Sequence, residues 1–237
     1  TDARATSSVV CTNGNDAEFC DLWVGNCGME VLNCTRVRAN NLQVFGKCSA
    51  SPTTSLYLYQ NMGLNRVDHA ELQWGAVSCD CGATSEVQFR DVICTGAGLY
   101  VSPSDACYGY DFQDVQVRSV TAAKTNAVLS SGIFFGNFPS TAPHEIQDGH
   151  IVSAYPGNVT FRRCRINDWY QVHGDLLLDA TYGRSAGICV MLAGANVHPV
   201  VEDCHLGAPS RGDGSGGAIG LGVLVGDLRW VANHQGA

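Results

Sequence analysis

The sequence predicts an all-β fold built from one repeated unit, two short strands joined at a tight corner. Three observations predict it. An eight-residue pattern (apolar, any, apolar, two mostly polar, apolar, any, apolar) starts at Ala17, Met29, Gln43, Leu72, Val87, Tyr110, Val159, Pro199 and Val223. Its two middle apolar slots are filled in every copy, the first by Phe19, Val31, Phe45, Trp74, Phe89, Phe112, Phe161, Val201 and Val225. The other holds Leu22, Cys34, Cys48, Val77, Val92, Val115, Cys164, Cys204 and Leu228. The second corner residue is Asp21, Asn33, Asp91, Asp114, Asp203 or Asp227 in six of the nine copies.

Each part of the unit has a physical reason. Apolar residues two apart lie on one face of a strand. The two intervening residues reset the phase, so both halves face one core around a bend. Asp and Asn tolerate the left-handed conformation that a sharp corner needs. Apolar positions at i, i+2, i+5 and i+7 form no single helical stripe. Taken in order, residues 1–14 read as an N-terminal extension or cap, 15–232 as the repeat domain and 233–237 as a tail. Starts are 12, 14, 29, 15, 23, 49, 40 and 24 residues apart, which places long insertions at 118–158 and 167–198.

The pattern, over about residues 15–232, resembles the single-stranded right-handed parallel β-helix, the solenoid fold of pectate lyases, many phage tailspikes and many secreted adhesins. The resemblance implies stacked coils with long inter-coil loops and gives no activity. An antiparallel β-sandwich is the alternative, since it too is built of short strands with turn signals. The irregular spacing favours that alternative.

Composition narrows the function classes. Net charge is −8, and the only lysines are Lys47 and Lys124. Tracking a nucleic-acid backbone requires a basic stripe, and the only local cluster is Arg162, Arg163 and Arg165. No nucleic acid is expected as a partner. The longest uncharged runs, 125–144 and 185–201, are broken by Gly, Pro, Ser and Asn, so no membrane insertion is expected. Thr1 opens the chain without a leader, which reads as processing or as an excerpt. Charged residues make up only 15%, which raises the prospect of a surface covered by a partner.

Twelve cysteines favour an oxidising, extracellular setting. The sequons Asn33-Cys34-Thr35 and Asn158-Val159-Thr160 agree with it and make Asn33 and Asn158 candidate glycosylation sites. Equivalent positions in stacked coils lie about 5 Å apart, within reach of a disulfide. The expected pairs are Cys164–Cys204, Cys79–Cys94 and Cys34–Cys48. A ladder of buried free thiols is the alternative. No metal or cofactor is expected. Cys79-Asp80-Cys81 lacks a partner pair for zinc, and Arg211-Gly212-Asp213-Gly214-Ser215-Gly216-Gly217 holds one Asp, too few ligands for calcium.

Candidate chemistry falls in the two insertions. The first holds Phe134, Phe135 and Phe138, then His144, Glu145, Asp148 and His150; the second holds Asp168, Trp169, Tyr170, His173 and Asp175. Rings stack on sugar faces and carboxylates bind hydroxyls or move protons, so Asp148, His150, His173 and Asp175 are the catalytic candidates for glycoside cleavage. Asp148-Gly149 and Gly174-Asp175 are also ordinary turn dipeptides. Polygalacturonase-like enzymes of the resembled fold carry Asn-Thr-Asp, Asp-Asp, Gly-His-Gly and Arg-Ile-Lys motifs, and none occurs here. The expected function is an extracellular structural or adhesive unit that self-associates end to end, with glycan as a further partner and no catalysis. The alternative is a secreted polysaccharide lyase or glycoside hydrolase.

Overall fold

The computed structural model describes residues 9–48, 54–79, 85–102, 107–120, 132–136, 157–167, 170–171, 188–191, 197–207, 210–211 and 223–226. Their regular elements are all strands: the chain alternates between two large sheets, and its later circuits add a third sheet of two short strands. The first circuit is β1 (Val9–Thr12) and β2 (Glu18–Val24), the second β3 (Met29–Leu32) and β4 (Thr35–Val44). The third is β5 (Leu56–Tyr59) and β6 (Met62–Leu72), the fourth β7 (Ala76–Cys79) and β8 (Ser85–Gly96). The fifth comprises β9 (Leu99–Ser102), β10 (Cys107–Gln113) and β11 (Gln116–Val120). The sixth comprises β12 (Ile133–Gly136), β13 (Gly157–Arg162), β14 (Arg165–Ile166) and β15 (Tyr170–Gln171). The seventh comprises β16 (Ile188–Met191), β17 (Val197–Glu202), β18 (His205–Leu206) and β19 (Ser210–Arg211), and β20 (Val223–Gly226) opens the next.

Every strand pair among the described residues is parallel. The first sheet runs β1-β3-β5-β7-β9-β12-β16-β20. The second stacks β2, β4, β6, β8, β10, β13 and β17, with β11, β14 and β18 continuing past the corner. Parallel neighbours with long connections between them exclude the antiparallel sandwich. Strands β12 and β16 lie within 118–158 and 167–198, so those segments carry regular strands of their circuits as well as extra length.

The corner repeat is real, and its true register differs from the expected one at four starts. The second sheet aligns Phe19, Ala39, Val67, Phe89, Phe112, Phe161 and Val201 in one inner column. The corner copies therefore start at Ala17, Val37, Asn65, Val87, Tyr110, Val159 and Pro199. The starts at Gln43 and Leu72 are out of phase. Phe45 instead tilts against Trp23 with ring centroids 6.1 Å apart, and Lys47 Nζ sits 4.0 Å above the Trp74 ring. Met29 and Val223 begin β3 and β20 of the first sheet.

The second corner residue of all seven copies has positive φ: Asp21, Asn41, His69, Asp91, Asp114, Arg163 and Asp203, at 50° to 55°. Asn13, Asn33 and Gln60 turn the chain out of β1, β3 and β5 in the same conformation. The core lies between the sheets. Phe89, Phe112 and Phe161 stack through it, with centroids 5.8 and 5.2 Å apart and planes within 13°. Phe135, one of the aromatics of the first insertion, is core, packed edge-on against Tyr110 at 4.7 Å. Asn61 is fully buried yet satisfied: its Oδ1 accepts from Cys34 N at 2.8 Å and its Nδ2 donates to Val31 O at 3.0 Å.

Candidate functional site

The outer face of the second sheet is set by strand alternation. Residues between inward positions point away from the core, and circuits four to six carry Glu86, Gln88, Arg90, Asp111, Thr160 and Arg162 there. They line a groove of about 370 Å³. Gly109 borders the groove, and a Cβ built on it would meet nothing within 4 Å. Gln88 Nε2 donates to Glu86 Oε1 at 2.6 Å, Arg90 Nη2 lies 3.5 Å from Asp111 Oδ2, and Arg162 Nε donates to Glu202 Oε2 at 2.8 Å. Among the described residues, Arg90 Nε and Asp111 Oδ1 are buried without a hydrogen-bond partner. A donor and an acceptor thus remain over on paired side chains. A hydroxyl, which both donates and accepts, complements such a pair.

The corner column forms a second polar feature. Asn41 Nδ2 donates to Asp21 Oδ1 at 2.6 Å, and His69 Nδ1 is 2.8 Å from Asp91 Oδ2. Arg163 grips Asp114 in a two-point contact at 2.8 and 2.7 Å. Asp91 and Asp114 occupy neighbouring circuits, about 4.8 Å apart in a stacked ladder. Each carboxylate is bonded away from the other, which relieves their like-charge contact. The Arg163 hydrogen bond, chiefly, holds the Asp114 carboxyl below its usual value. That contribution to stability is present above the free-carboxylate pKa and is lost as pH falls through the lowered one. Among the described residues no group of three or more His, Cys, Asp or Glu could hold a metal.

The sheets place the three expected cysteine pairs differently from one another. Cys164 and Cys204 do stack, being flanked by the partners Arg162–Glu202 and Arg165–His205. Cys79 and Cys94 do not, since β7 and β8 belong to different sheets. Cys34 and Cys48 lie at opposite ends of β3: Cys48 Sγ donates to Met29 O at 3.2 Å, whereas Cys34 Sγ lies 3.4 Å from Leu32 O. Cys34 instead approaches Cys11, with 3.7 Å between the sulfurs. In this structure Cys11, Cys34, Cys48, Cys94, Cys164 and Cys204 carry reduced thiols.

Their reactivities separate. Cys164 donates to Cys204, which lowers the Cys204 thiol to about 7 and raises that of Cys164. Burial pushes Cys94 up to about 12, and burial followed by the nearby Glu30 charge does the same to Cys48. In the reduced protein, iodoacetamide is therefore expected to label Cys204 increasingly as pH rises through 7, while Cys94 and Cys48 stay unlabelled in the folded chain. Peptide mapping of the alkylated protein checks this; equal labelling of all three refutes it.

Asn33 is exposed at its corner, as a glycan acceptor requires, and Asn158 lies in β13. Asp148, His150, His173 and Asp175 fall outside the described residues, as do Phe138, His144, Glu145, Asp168 and Trp169. The stretch Gly183-Arg184-Ser185-Ala186-Gly187 has the spacing of a nucleophile elbow. Such an elbow needs a helix to follow it, and here β16 follows. The polar groove had no linear signal, because its lining comes from three circuits. Among the described residues no helix is long and apolar enough to cross a membrane. Compared with known proteins, the chain matches no family model, no curated protein and no solved structure.

Proposed function

We propose that this chain is a right-handed parallel β-helix of the pectate-lyase-like kind, acting as an extracellular structural or adhesive unit that stacks end to end. The observation that carries this reading is how burial changes along the inner columns. Phe161 is fully buried, whereas Val201, next in the same column, is 37% exposed. At the opposite edge of the sheet Phe19 and Leu22 are only half-buried. Partly open core at the two edges of the described sheet invites another strand layer, and contact between unlike ends propagates into a filament. The twelve cysteines and two sequons support an oxidising, extracellular location. The stacked Cys164 and Cys204 would close to a disulfide there. The outer groove, with its leftover donor and acceptor, suits a glycan hydroxyl.

Electron microscopy of native material across a dilution series tests the assembly. Continuous filaments with a regular axial repeat are expected, and Val201→Asp, which places a charge in the joint, should shorten or abolish them. Dispersed single rods at every concentration would overturn the reading.

The same groove favours a second reading, a secreted polysaccharide lyase or glycoside hydrolase, because Glu86, Arg90 and Asp111 line it together. Screening acidic and neutral polysaccharides for cleavage tests that reading. Activity that survives loss of both Asp148 and Asp175 would remove those two as its catalytic pair.

A further inference from the structure

We infer that Cys11 and Cys34 form a disulfide clasp that ties the first circuit to the second. Cys11 lies in β1 and Cys34 follows the Asn33 corner, yet their sulfurs are 3.7 Å apart. Gly14 lies beside the pair: a Cβ built there would be in ordinary contact with both sulfurs, 3.4 Å from Cys11 Sγ and 3.5 Å from Cys34 Sγ. The Gly14 amide donates to Cys34 Sγ at 3.3 Å, and Asn61 fixes the Cys34 backbone from the other side. Closing from 3.7 Å to a bond of about 2.05 Å needs only side-chain rotation toward each other.

The two thiols have unequal access. Cys11 is half-buried on a sheet edge, and Cys34 is fully buried. With a small disulfide such as oxidised glutathione as oxidant, the Cys11 thiolate attacks one glutathione sulfur. A protein–glutathione mixed disulfide forms, and one glutathione leaves as its thiolate. The Cys34 thiolate then attacks Cys11 Sγ and expels the second glutathione. Two protein thiols are oxidised, and one glutathione disulfide is reduced to two glutathione thiols. The two protein protons pass to the departing thiolates. The clasp rests on this local geometry and holds whether or not the chain assembles.

The test uses the folded full chain, equilibrated with oxidised glutathione and then unfolded directly into excess N-ethylmaleimide, which blocks buried thiols as they become exposed. Asp16, Glu18, Asp21 and Glu30 separate the two cysteines, so cleavage at acidic residues leaves them on different peptides. Non-reducing mass spectrometry should find a Cys11–Cys34 cross-linked peptide that reduction dissolves. Cys34→Ser should instead accumulate a stable glutathione adduct on Cys11, because nothing remains to resolve it. Recovery of both cysteines blocked by maleimide, or of Cys34 joined to any other cysteine, would overturn the clasp.

Discussion

Phe112→Ala is expected to destabilise the fold by about 3–5 kcal/mol, among the largest losses from any single side-chain truncation in this chain. Phe112 is fully buried, and its ring stacks on Phe89 at 5.8 Å and on Phe161 at 5.2 Å. Alanine removes both stacks at once and leaves a void walled by two rigid rings that belong to different circuits. Backbone hydrogen bonds fix the spacing of those circuits, so the void collapses poorly. Phe112→Leu should recover much of the loss by refilling the space. Phe19→Ala, at the half-buried end of the same column, should cost clearly less. Urea midpoints of the three variants check the ordering; a loss below about 1 kcal/mol for Phe112→Ala would mean that the column is not the centre of the core.

Gly75→Ala should cost roughly 2–5 kcal/mol, combining a left-handed residue with a Cβ and a forced backbone separation. Gly75 has φ +70°, and an added Cβ would lie 1.9 Å from Gly98 O and 2.8 Å from Ala97 O. Neither atom is the tip of a side chain that could swing aside. On the other side, Gly75 O accepts from Ser55 N at 3.2 Å and Ser55 Oγ at 3.0 Å, so the residue cannot retreat without breaking those bonds. Gly109→Ala is the matched control. Its Cβ meets open space, and its effect should stay within about 0.5 kcal/mol. Soluble yield and urea midpoints distinguish the two, and equal behaviour would refute the close approach at Gly75.

The fold was legible where the repeat carries large apolar side chains. Val87–Cys94, Tyr110–Val117 and Val159–Ile166 were placed in their true register because Phe89, Phe112 and Phe161 mark the same column. It was missed at Val37–Val44 and Asn65–Leu72, where the inner residues include the small Ala39 and Ala70 and the polar Asn65. Asn65 is buried, although pattern reading expects an apolar residue in that slot. The left-handed corner also proved less selective than Asp and Asn alone, since His69 and Arg163 adopt it too. The groove was not legible, because Glu86, Gly109 and Thr160 become neighbours only once the register is known. The Cys11–Cys34 approach was hidden for a related reason. Aligning Cys34 with Cys48 as repeats of one slot concealed that they flank opposite ends of one strand.

Successive circuits are hydrogen-bonded to one another, and this has a mechanical consequence. Tension applied along the stacking direction pulls in line with those bonds and loads the circuit interfaces in series. The structure would then yield at its weakest interface first and unravel stepwise. Between the first and fifth corners, at Ala17, Val37, Asn65, Val87 and Tyr110, each step would release 20 to 28 residues of slack. A covalent tie between the first two circuits would remove the step closest to the N-terminal edge and move the onset of yielding deeper into the stack.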